Sequence, residues 1–156
     1  MKITVREATL HDPQVRALAL DHVRQMRAGS PEGQAFALDL TGLDDPAITL
    51  FGAWRGDDLL GIGALKRLGA QGAEIKSMRT RADALRQGVA RALLEAIVAR
   101  AQDEGIARLS LETGRGPMFE PALALYRARG FRNGEAFADY ENTDFNQCLH
   151  LDLTPQ

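Results

Sequence analysis

The chain has 156 residues, of which 45% are hydrophobic and 26% charged, the composition of a globular protein with one ordinary core. Its formal net charge of -2 argues against a dedicated nucleic-acid-binding protein, and no apolar run is long enough to span a membrane. Cys148 is the only cysteine, which excludes an internal disulfide and a thiolate-cluster zinc site. We therefore expect one domain over residues 1–156, in the cytoplasm, with no nucleic-acid or membrane partner.

The first third of the chain predicts a strand and then a helix. Ile3-Thr4-Val5 is typical of a short strand, and Asp12-Pro13 supplies a helix cap and a proline at the first helical position. Residues of one helix face then recur at helical spacing as far as Gly29-Ser30-Pro31, namely Val15, Leu18, Ala19, His22 and Met26. Residues 32–46 are less periodic and predict either a second short helix or an ordered loop.

The middle of the chain predicts an antiparallel meander. Two apolar runs at 48–54 and 59–66 are separated by Arg55-Gly56-Asp57-Asp58, which is typical of a hairpin turn. A second glycine-containing turn at 68–72 leads into a strand over 73–80.

The period changes after Gly88, where apolar residues mark one face of a long helix that ends at Gly105. A strand over 108–113, a helix from Pro121 to Gly130 and an alternating strand from Phe145 to Leu153 complete the chain. The strand–helix–strand around Gly88 predicts a right-handed parallel crossover. We expect an α/β (α+β mixed-sheet) fold, with about six to seven strands and helices on both faces.

The turn Leu85-Arg86-Gln87-Gly88-Val89-Ala90 lies where a predicted strand gives way to a helix. Backbone N–H groups at such a helix start point at one spot, and the helix dipole favours an anion there. Residues 76–91 carry five basic residues and one acid, Asp83, which suits a diphosphate. The alternative is a helix start with solvated arginines. The Gly-Lys-Ser/Thr ending and the three-glycine fingerprint are both absent, which excludes a Walker loop and a dinucleotide site.

Two stretches resemble motifs of the GNAT superfamily of acetyltransferases. Residues 74–80 with 85–94 resemble motif A, which reads Arg/Gln-x-x-Gly-x-Gly/Ala, and residues 122–131 resemble the Leu-Tyr-x-x-x-Gly-Phe motif. The resemblance runs from the first predicted strand to the last and implies the GNAT-type acyl-CoA N-acyltransferase fold. Three further stretches, 30–32, 38–40 and 111–114, resemble a bacterial branch of small GNAT proteins, mostly of unassigned substrate.

The resemblance implies acetyl-CoA as donor, with its pantetheine arm between two parallel strands that end near Thr80 and Thr113. Main-chain groups around Met78 and Thr80 would bind the arm and the thioester carbonyl, where an N–H group stabilises the oxyanion. Two positions depart from the motifs: Leu85 replaces Arg or Gln, and Phe119 replaces an Asn that many relatives have. The implied cofactor-binding residues are Met78, Arg79, Thr80, Arg86, Gln87, Gly88, Val89, Ala90, Arg91 and Phe119.

Three side chains are candidates for the proton transfers. By the resemblance, Tyr126 matches the tyrosine near the CoA sulfur and is the candidate acid; the alternative is a core tyrosine. Glu74, on the strand that leads into motif A, is the candidate base; the alternative is an ordinary strand glutamate paired with Lys76. Glu112 is the second candidate, because a buried carboxylate has the raised pKa that a base needs.

Other polar residues carry weaker hypotheses. Cys148 would need an activating histidine to act as a nucleophile, and His150 two residues away more simply shares its face of the strand. His22 is expected to be a satisfied structural histidine, with a place in the substrate pocket as the alternative. No catalytic triad or metal cluster is visible, so no metal is expected.

The acceptor is the least determined part of the sequence. Four acids and no bases, Glu135, Asp139, Glu141 and Asp144, predict either an acidic rim that attracts a cationic amine or a solvated loop. Tyr140 and Phe145 could supply an apolar wall. The preferred function is N-acetylation of a small amine or amino acid. The alternatives are acetylation of a protein amine or an idle acyl-CoA-binding module, and a homodimer is possible.

Overall fold

The computed structural model describes residues 2–29 and 42–153, and within these ranges seven strands form one mixed sheet flanked by three α-helices. The strands are β1 (Thr4–Ala8), β2 (Ile48–Arg55), β3 (Asp58–Arg67), β4 (Ala73–Thr80), β5 (Arg108–Gly114), β6 (Arg132–Asn133) and β7 (Asn146–Asp152). The helices are α1 (Pro13–Gly29), α2 (Val89–Asp103) and α3 (Glu120–Arg129). The spatial order β1-β2-β3-β4-β5-β7-β6 agrees with the predicted meander and crossover.

The parallel pair β4–β5 is joined over only part of its length. Its two paired positions are Ala73 with Leu109 and Glu74 with Ser110, although β4 continues to Thr80. All other neighbouring strands in the sheet are antiparallel. The two parallel strands therefore separate towards their carboxyl ends and leave a cleft in the middle of the sheet.

A β-bulge lies in β4 beside this cleft. Ala64 of β3 pairs with Lys76 and Ile62 pairs with Arg79, so β4 has one more residue than β3 between these pairs. Ser77 within this interval has a φ of 56°, which a non-glycine residue seldom adopts. A bulge kinks its strand and redirects the side chains on either side, so it shapes this wall of the cleft.

Helices cover both faces of the sheet, as predicted. Adjacent side chains of β3 point to opposite faces, and Ala64 packs in the cluster with α1 whereas Leu65 packs in the cluster with α2 and α3. On the α1 side the cluster includes Val15 and Leu18. The cluster with α2 and α3 also includes Leu93, Leu123 and Tyr126.

The ends of several elements differ slightly from the prediction. Helix α1 begins at Pro13, as predicted, with Asp12 Oδ1 accepting a hydrogen bond from the Gln14 N–H at 2.8 Å. Helix α3 begins one residue before Pro121, because a 3₁₀ turn over Pro117–Phe119 leads directly into it. The two-residue strand β6 was not predicted, since so short a segment has no periodicity. β7 ends at Asp152, whereas the alternation continues to Leu153.

Some predictions lie outside the described residues. The first is the part from 32 to 41 of the short helix or loop expected over 32–46. The second is the resemblance to the bacterial branch at 30–32 and 38–40. Residues 42–46, which belong to the same expected segment, contain turns. None of the helices in the described ranges is long and apolar enough to cross a membrane.

Candidate active site

The cleft between β4 and β5 opens into a cavity of about 870 Å³. Its walls come from β4 and β5, the turn before α2, the first residues of α2, and α3. Helix α1 contributes His22 and Gln25, and the segment before β7 contributes Tyr140 and Phe145. The cavity therefore runs from the start of α2 to the face of the sheet on which α1 packs.

The glycine turn ends in a left-handed residue that starts α2. Gly88 has a φ of 87°, and the preceding Arg86 also has a positive φ, of 64°. The first intrahelical bond of α2 runs from the Ala92 N–H to the Gly88 carbonyl at 3.0 Å, so Val89, Ala90 and Arg91 have N–H groups without partners in the helix. All three residues line the cavity. This is the geometry of an anion site at a helix N-terminus.

All of the predicted cofactor-binding residues except Gln87 line the cavity. The Gln87 side chain instead accepts a hydrogen bond from Arg55 at 2.6 Å and so joins the turn to the end of β2. Three of the five basic residues in 76–91 are paired: Lys76 with Glu74, Arg79 with Asp21 and Arg81 with Asp83. Arg86 and Arg91 line the cavity and have no side-chain partner within the described residues.

Phe119, where the motif resemblance implies an asparagine, gives the cavity an apolar wall. Its ring packs on Gly114, where an added Cβ would lie 2.5 Å from the ring. It also contacts the Phe145 ring edge-on, with centroids 5.5 Å apart. Leu85 and Met118 extend this apolar character to the rim, where their side chains are exposed.

Tyr126 lies on α3 with its ring buried and forms part of the cavity wall. The ring packs edge-on against Phe131, with centroids 5.8 Å apart. Burial raises the pKa of the Tyr126 hydroxyl above its ordinary value. The phenol is therefore protonated at neutral pH, and the raised pKa makes it a weaker acid than an exposed tyrosine.

Glu74, Lys76 and Tyr140 form a hydrogen-bonded group that we name the β4 cluster. The Lys76 Nζ lies 3.0 Å from Glu74 Oε2 and 2.5 Å from the Tyr140 hydroxyl. The Tyr140 hydroxyl donates to the same Glu74 oxygen at 2.5 Å. Burial, followed by the neighbouring Glu74 carboxylate, raises the pKa of Tyr140. Glu74 and Lys76 are thus paired, the alternative considered from the sequence, and both line the cavity.

Glu112 is the second carboxyl group in the cavity wall. Burial raises its pKa from 4.5 to about 7, while the charge of Lys76 lowers it and the charge of Glu74 raises it. A carboxyl group that titrates near neutrality exchanges a proton readily under physiological conditions. The resemblance had placed Glu112 behind Glu74 as a candidate base.

Residues 134–145, which we name the strap, connect β6 to β7. None of its four predicted acids, Glu135, Asp139, Glu141 and Asp144, lines the cavity. Glu135 instead pairs with Arg108 at 2.6 Å. The expectation of an acidic rim from this segment is therefore wrong, and the acids that line the cavity come from β4 and β5.

His150 and Cys148 anchor the strap rather than forming a nucleophilic pair. The His150 Nδ1 lies 2.7 Å from Ser110 Oγ, and its Nε2 lies 2.7 Å from the main-chain oxygen of Glu135. The Cys148 main-chain N–H donates to Asn142 Oδ1 at 3.0 Å. Burial raises the pKa of the Cys148 thiol, and its side chain is enclosed. The thiol is therefore neither activated nor accessible.

His22 faces the cavity from α1. Its Nδ1 is enclosed and, among the described residues, has no hydrogen-bond partner, so the expectation of a satisfied histidine is not met there. Burial, reinforced by Arg79 and opposed by Asp21, lowers its pKa to about 4. The imidazole is neutral at physiological pH and is a poor proton acceptor.

The sequence did not reveal the hydrogen-bonding part played by Tyr140. Tyr140 was expected only as an apolar wall, yet its hydroxyl meets a glutamate 66 positions earlier in the chain. No local signal links these positions, because the contact exists only once the strap folds over the sheet. Within the described ranges, no three histidine, cysteine or acidic residues are grouped as a metal site would require.

Comparison with known proteins agrees with the fold. The Acetyltransferase (GNAT) family model matches residues 15–131. The chain is 49% identical over 127 residues to the uncharacterized N-acetyltransferase YsnE of Bacillus subtilis, covering 81% of this chain and 84% of that protein. It is 41% identical over 150 residues to the uncharacterized N-acetyltransferase YedL of Escherichia coli, covering 96% and 94%.

A solved structure shows the same architecture. The GNAT family acetyltransferase from Elizabethkingia anophelis, determined with acetyl-CoA bound, superimposes with a TM-score of 0.68 at 18% identity, covering 97% of this chain and 98% of that one. The chain belongs to the GNAT family of N-acetyltransferases, and it is an acyltransferase enzyme.

Proposed function

We propose that this enzyme transfers the acetyl group of acetyl-CoA to the amine of a small molecule by direct attack. The observation that carries the proposal is one continuous cavity, whose wall includes the start of α2, Tyr126 and Glu112. The cavity therefore combines an anion site, a protonated phenol and a carboxyl group whose pKa lies near neutrality. Acetyl-CoA, when bound, supplies the acetyl thioester.

The residues at the start of α2 suit the diphosphate of the donor. The N–H groups of Val89, Ala90 and Arg91 and the side chains of Arg86 and Arg91 supply donors and positive charge at one end of the cavity. The separating strands β4 and β5 leave main-chain groups for the extended arm, because their ladder ends at Glu74 and Ser110. The Elizabethkingia protein, which has the same fold and was solved with acetyl-CoA bound, supports acetyl-CoA as the donor.

Glu112 is the base in this proposal. An amine with a pKa near ~10 is protonated at neutral pH and must lose a proton before attack. The pKa of Glu112, about 7, lets its carboxylate accept that proton. Glu74, the other candidate, already accepts hydrogen bonds from Lys76 and Tyr140 on one oxygen.

Tyr126 is the acid. When the C–N bond forms and the C–S bond breaks, the departing sulfur needs a proton to prevent the reverse attack. The Tyr126 side chain lines the cavity and its hydroxyl carries a proton at neutral pH, so it can transfer that proton as negative charge builds on the sulfur. The nitrogen loses its second proton as the amide forms, and that proton restores the Tyr126 phenol, while solvent takes the first proton from Glu112.

A small acceptor is favoured by the parts of the cavity wall that α1 and the strap supply. These parts are His22 and Gln25 of α1 and Tyr140 and Phe145 of the strap. The charged groups that act on Glu112 are Glu74 and Lys76, which pair with each other. The acceptor would thus meet a partly apolar pocket with one carboxylate free to receive its amine.

The test is a screen of amines, amino acids and a lysine-containing peptide with acetyl-CoA, in which release of free thiol is measured. We expect turnover with one group of small amines and a loss of about 100-fold in kcat/KM on Glu112→Gln. Glu95→Gln on the exposed face of α2 is the matched control, and its activity should equal that of the unsubstituted enzyme. Turnover of the peptide alone would contradict the small acceptor, and full activity of Glu112→Gln would contradict the assigned base.

A further inference from the structure

The β4 cluster lies in the same cavity wall as Glu112 but is not required by the reaction described above. We propose that Glu74, Lys76 and Tyr140 are positioning residues whose buried ion pair, held in place by the strap, sets the pH range in which Glu112 works. The inference rests on the proposed role of Glu112 as base.

The geometry of the cluster is that of a closed unit. The side chains of Glu74 and Lys76 are only 4% and 8% exposed, and one glutamate oxygen receives both donors. Transfer of a substrate proton to Glu74 would break these contacts and leave a buried ammonium group unpaired, which is costly. These contacts therefore make Glu74 a less suitable base than Glu112.

The strap keeps the tyrosine of the cluster in position. Phe137 packs against Tyr140, with ring centroids 5.1 Å apart, and against His150, at 5.7 Å. The Lys76 ammonium lies 5.2 Å from the centroid of the Tyr140 ring, within the range of a cation–π contact. Tyr140 thus connects the strap to the ion pair through its hydroxyl and through its ring.

The charges that act on Glu112 oppose one another. Lys76 lowers the pKa of Glu112 and Glu74 raises it, whereas burial is the largest cause of its raised value. Cys148 of β7 and Tyr140 of the strap are the other titratable groups beside these carboxylates, and both have raised pKa values, so they are uncharged at neutral pH. Removal of either member of the ion pair should therefore expose the effect of the other.

The experiment measures kcat/KM against pH for the unsubstituted enzyme, Glu74→Gln and Lys76→Met. We expect the acidic limb of the profile to move to lower pH in Glu74→Gln and to higher pH in Lys76→Met, each by about half a pH unit or more. Glutamine keeps an oxygen that can accept from Lys76 and Tyr140, and methionine keeps an unbranched chain. Both variants should retain the activity plateau within about tenfold, since neither change removes the base.

Other outcomes would overturn the proposal. A plateau about 100-fold lower in Glu74→Gln would make Glu74 the base itself. If the acidic limb moved in the same direction in both variants, or in neither, the cluster would have only a structural role. A carboxyl ¹³C NMR titration of Glu112 in Glu74→Gln alone gives the same answer if Lys76→Met does not fold. Full activity of Glu112→Gln would instead refute the proposed base, and is thereby distinguished from failure of this inference.

Discussion

The two ends of the cavity are built in different ways. The end that we propose for the donor uses consecutive residues, 85–91, and offers main-chain N–H groups at the start of α2. The end that we propose for the acceptor uses side chains from β4, β5 and the strap, and its contacts join positions as far apart as Glu74 and Tyr140. An anion site made of main-chain N–H groups depends on local backbone geometry. The pKa of a carboxyl group depends instead on the residues that tertiary packing brings beside it.

The largest effect should come from Tyr126→Phe. Loss of the hydroxyl removes the proton for the departing sulfur, and kcat should fall by about 100-fold or more while the Kd of acetyl-CoA stays the same. Steady-state kinetics and calorimetric titration of acetyl-CoA measure the two quantities. The ring remains packed against Phe131, so the fold should be preserved.

The other tyrosine of the chain is Tyr140, which belongs to the β4 cluster. Tyr140→Phe should shift the pH profile and leave most of the plateau, because Tyr140 acts on the base through Glu74. Equal losses of plateau in the two variants would show that they do not have separate roles.

Gly88→Asp should weaken acetyl-CoA binding by about 30-fold. Aspartate tolerates a left-handed φ, so the turn can form, but its carboxylate would repel phosphates at the positive end of α2. Calorimetric titration measures the affinity. Gly105→Asp is the matched control, because Gly105 follows α2 with a φ of 72° and, like Gly88, has no atom within 4 Å of an added Cβ. Equal affinity in both variants would refute the anion site at Gly88.

The smallest effect concerns stability at the acceptor end. Burial raises the pKa of Glu112 from 4.5 to about 7. Between these pH values the carboxyl group is therefore protonated in the folded chain and ionised in the unfolded chain. The stability present at acidic pH is lost as pH rises through this window. We expect Glu112→Gln to be more stable than the unsubstituted enzyme by about 2 kcal/mol near pH ~8, and equally stable near pH ~4.

Urea denaturation at the two pH values measures this difference. Glu95→Gln, whose carboxylate pairs with Arg129 on the surface, should show no such pH dependence. A Glu112→Gln stability gain that is the same at both pH values would mean that the carboxyl of Glu112 is not desolvated in the fold.

Local patterns were sufficient for most of the architecture. The apolar runs of β2 and β3, the cap at Asp12 and the glycine after α3 each act within a few residues, and the structure confirms them. The strand β6 was missed because two residues carry no pattern. Gln87 was expected to face the cofactor, but its side chain turns to Arg55, which is distant in the sequence.

The sequence by itself determined the mixed sheet, its parallel crossover and the glycine turn that starts α2, because these features follow from backbone preferences and from the periodicity of apolar residues. Only the tertiary structure distinguishes the two candidate carboxyl groups, and our proposal of Glu112 as the base rests on that difference. Glu74 and Glu112 are the same residue type on neighbouring strands, and they differ because Lys76 and Tyr140 pair with Glu74 while burial leaves Glu112 with a pKa near neutrality.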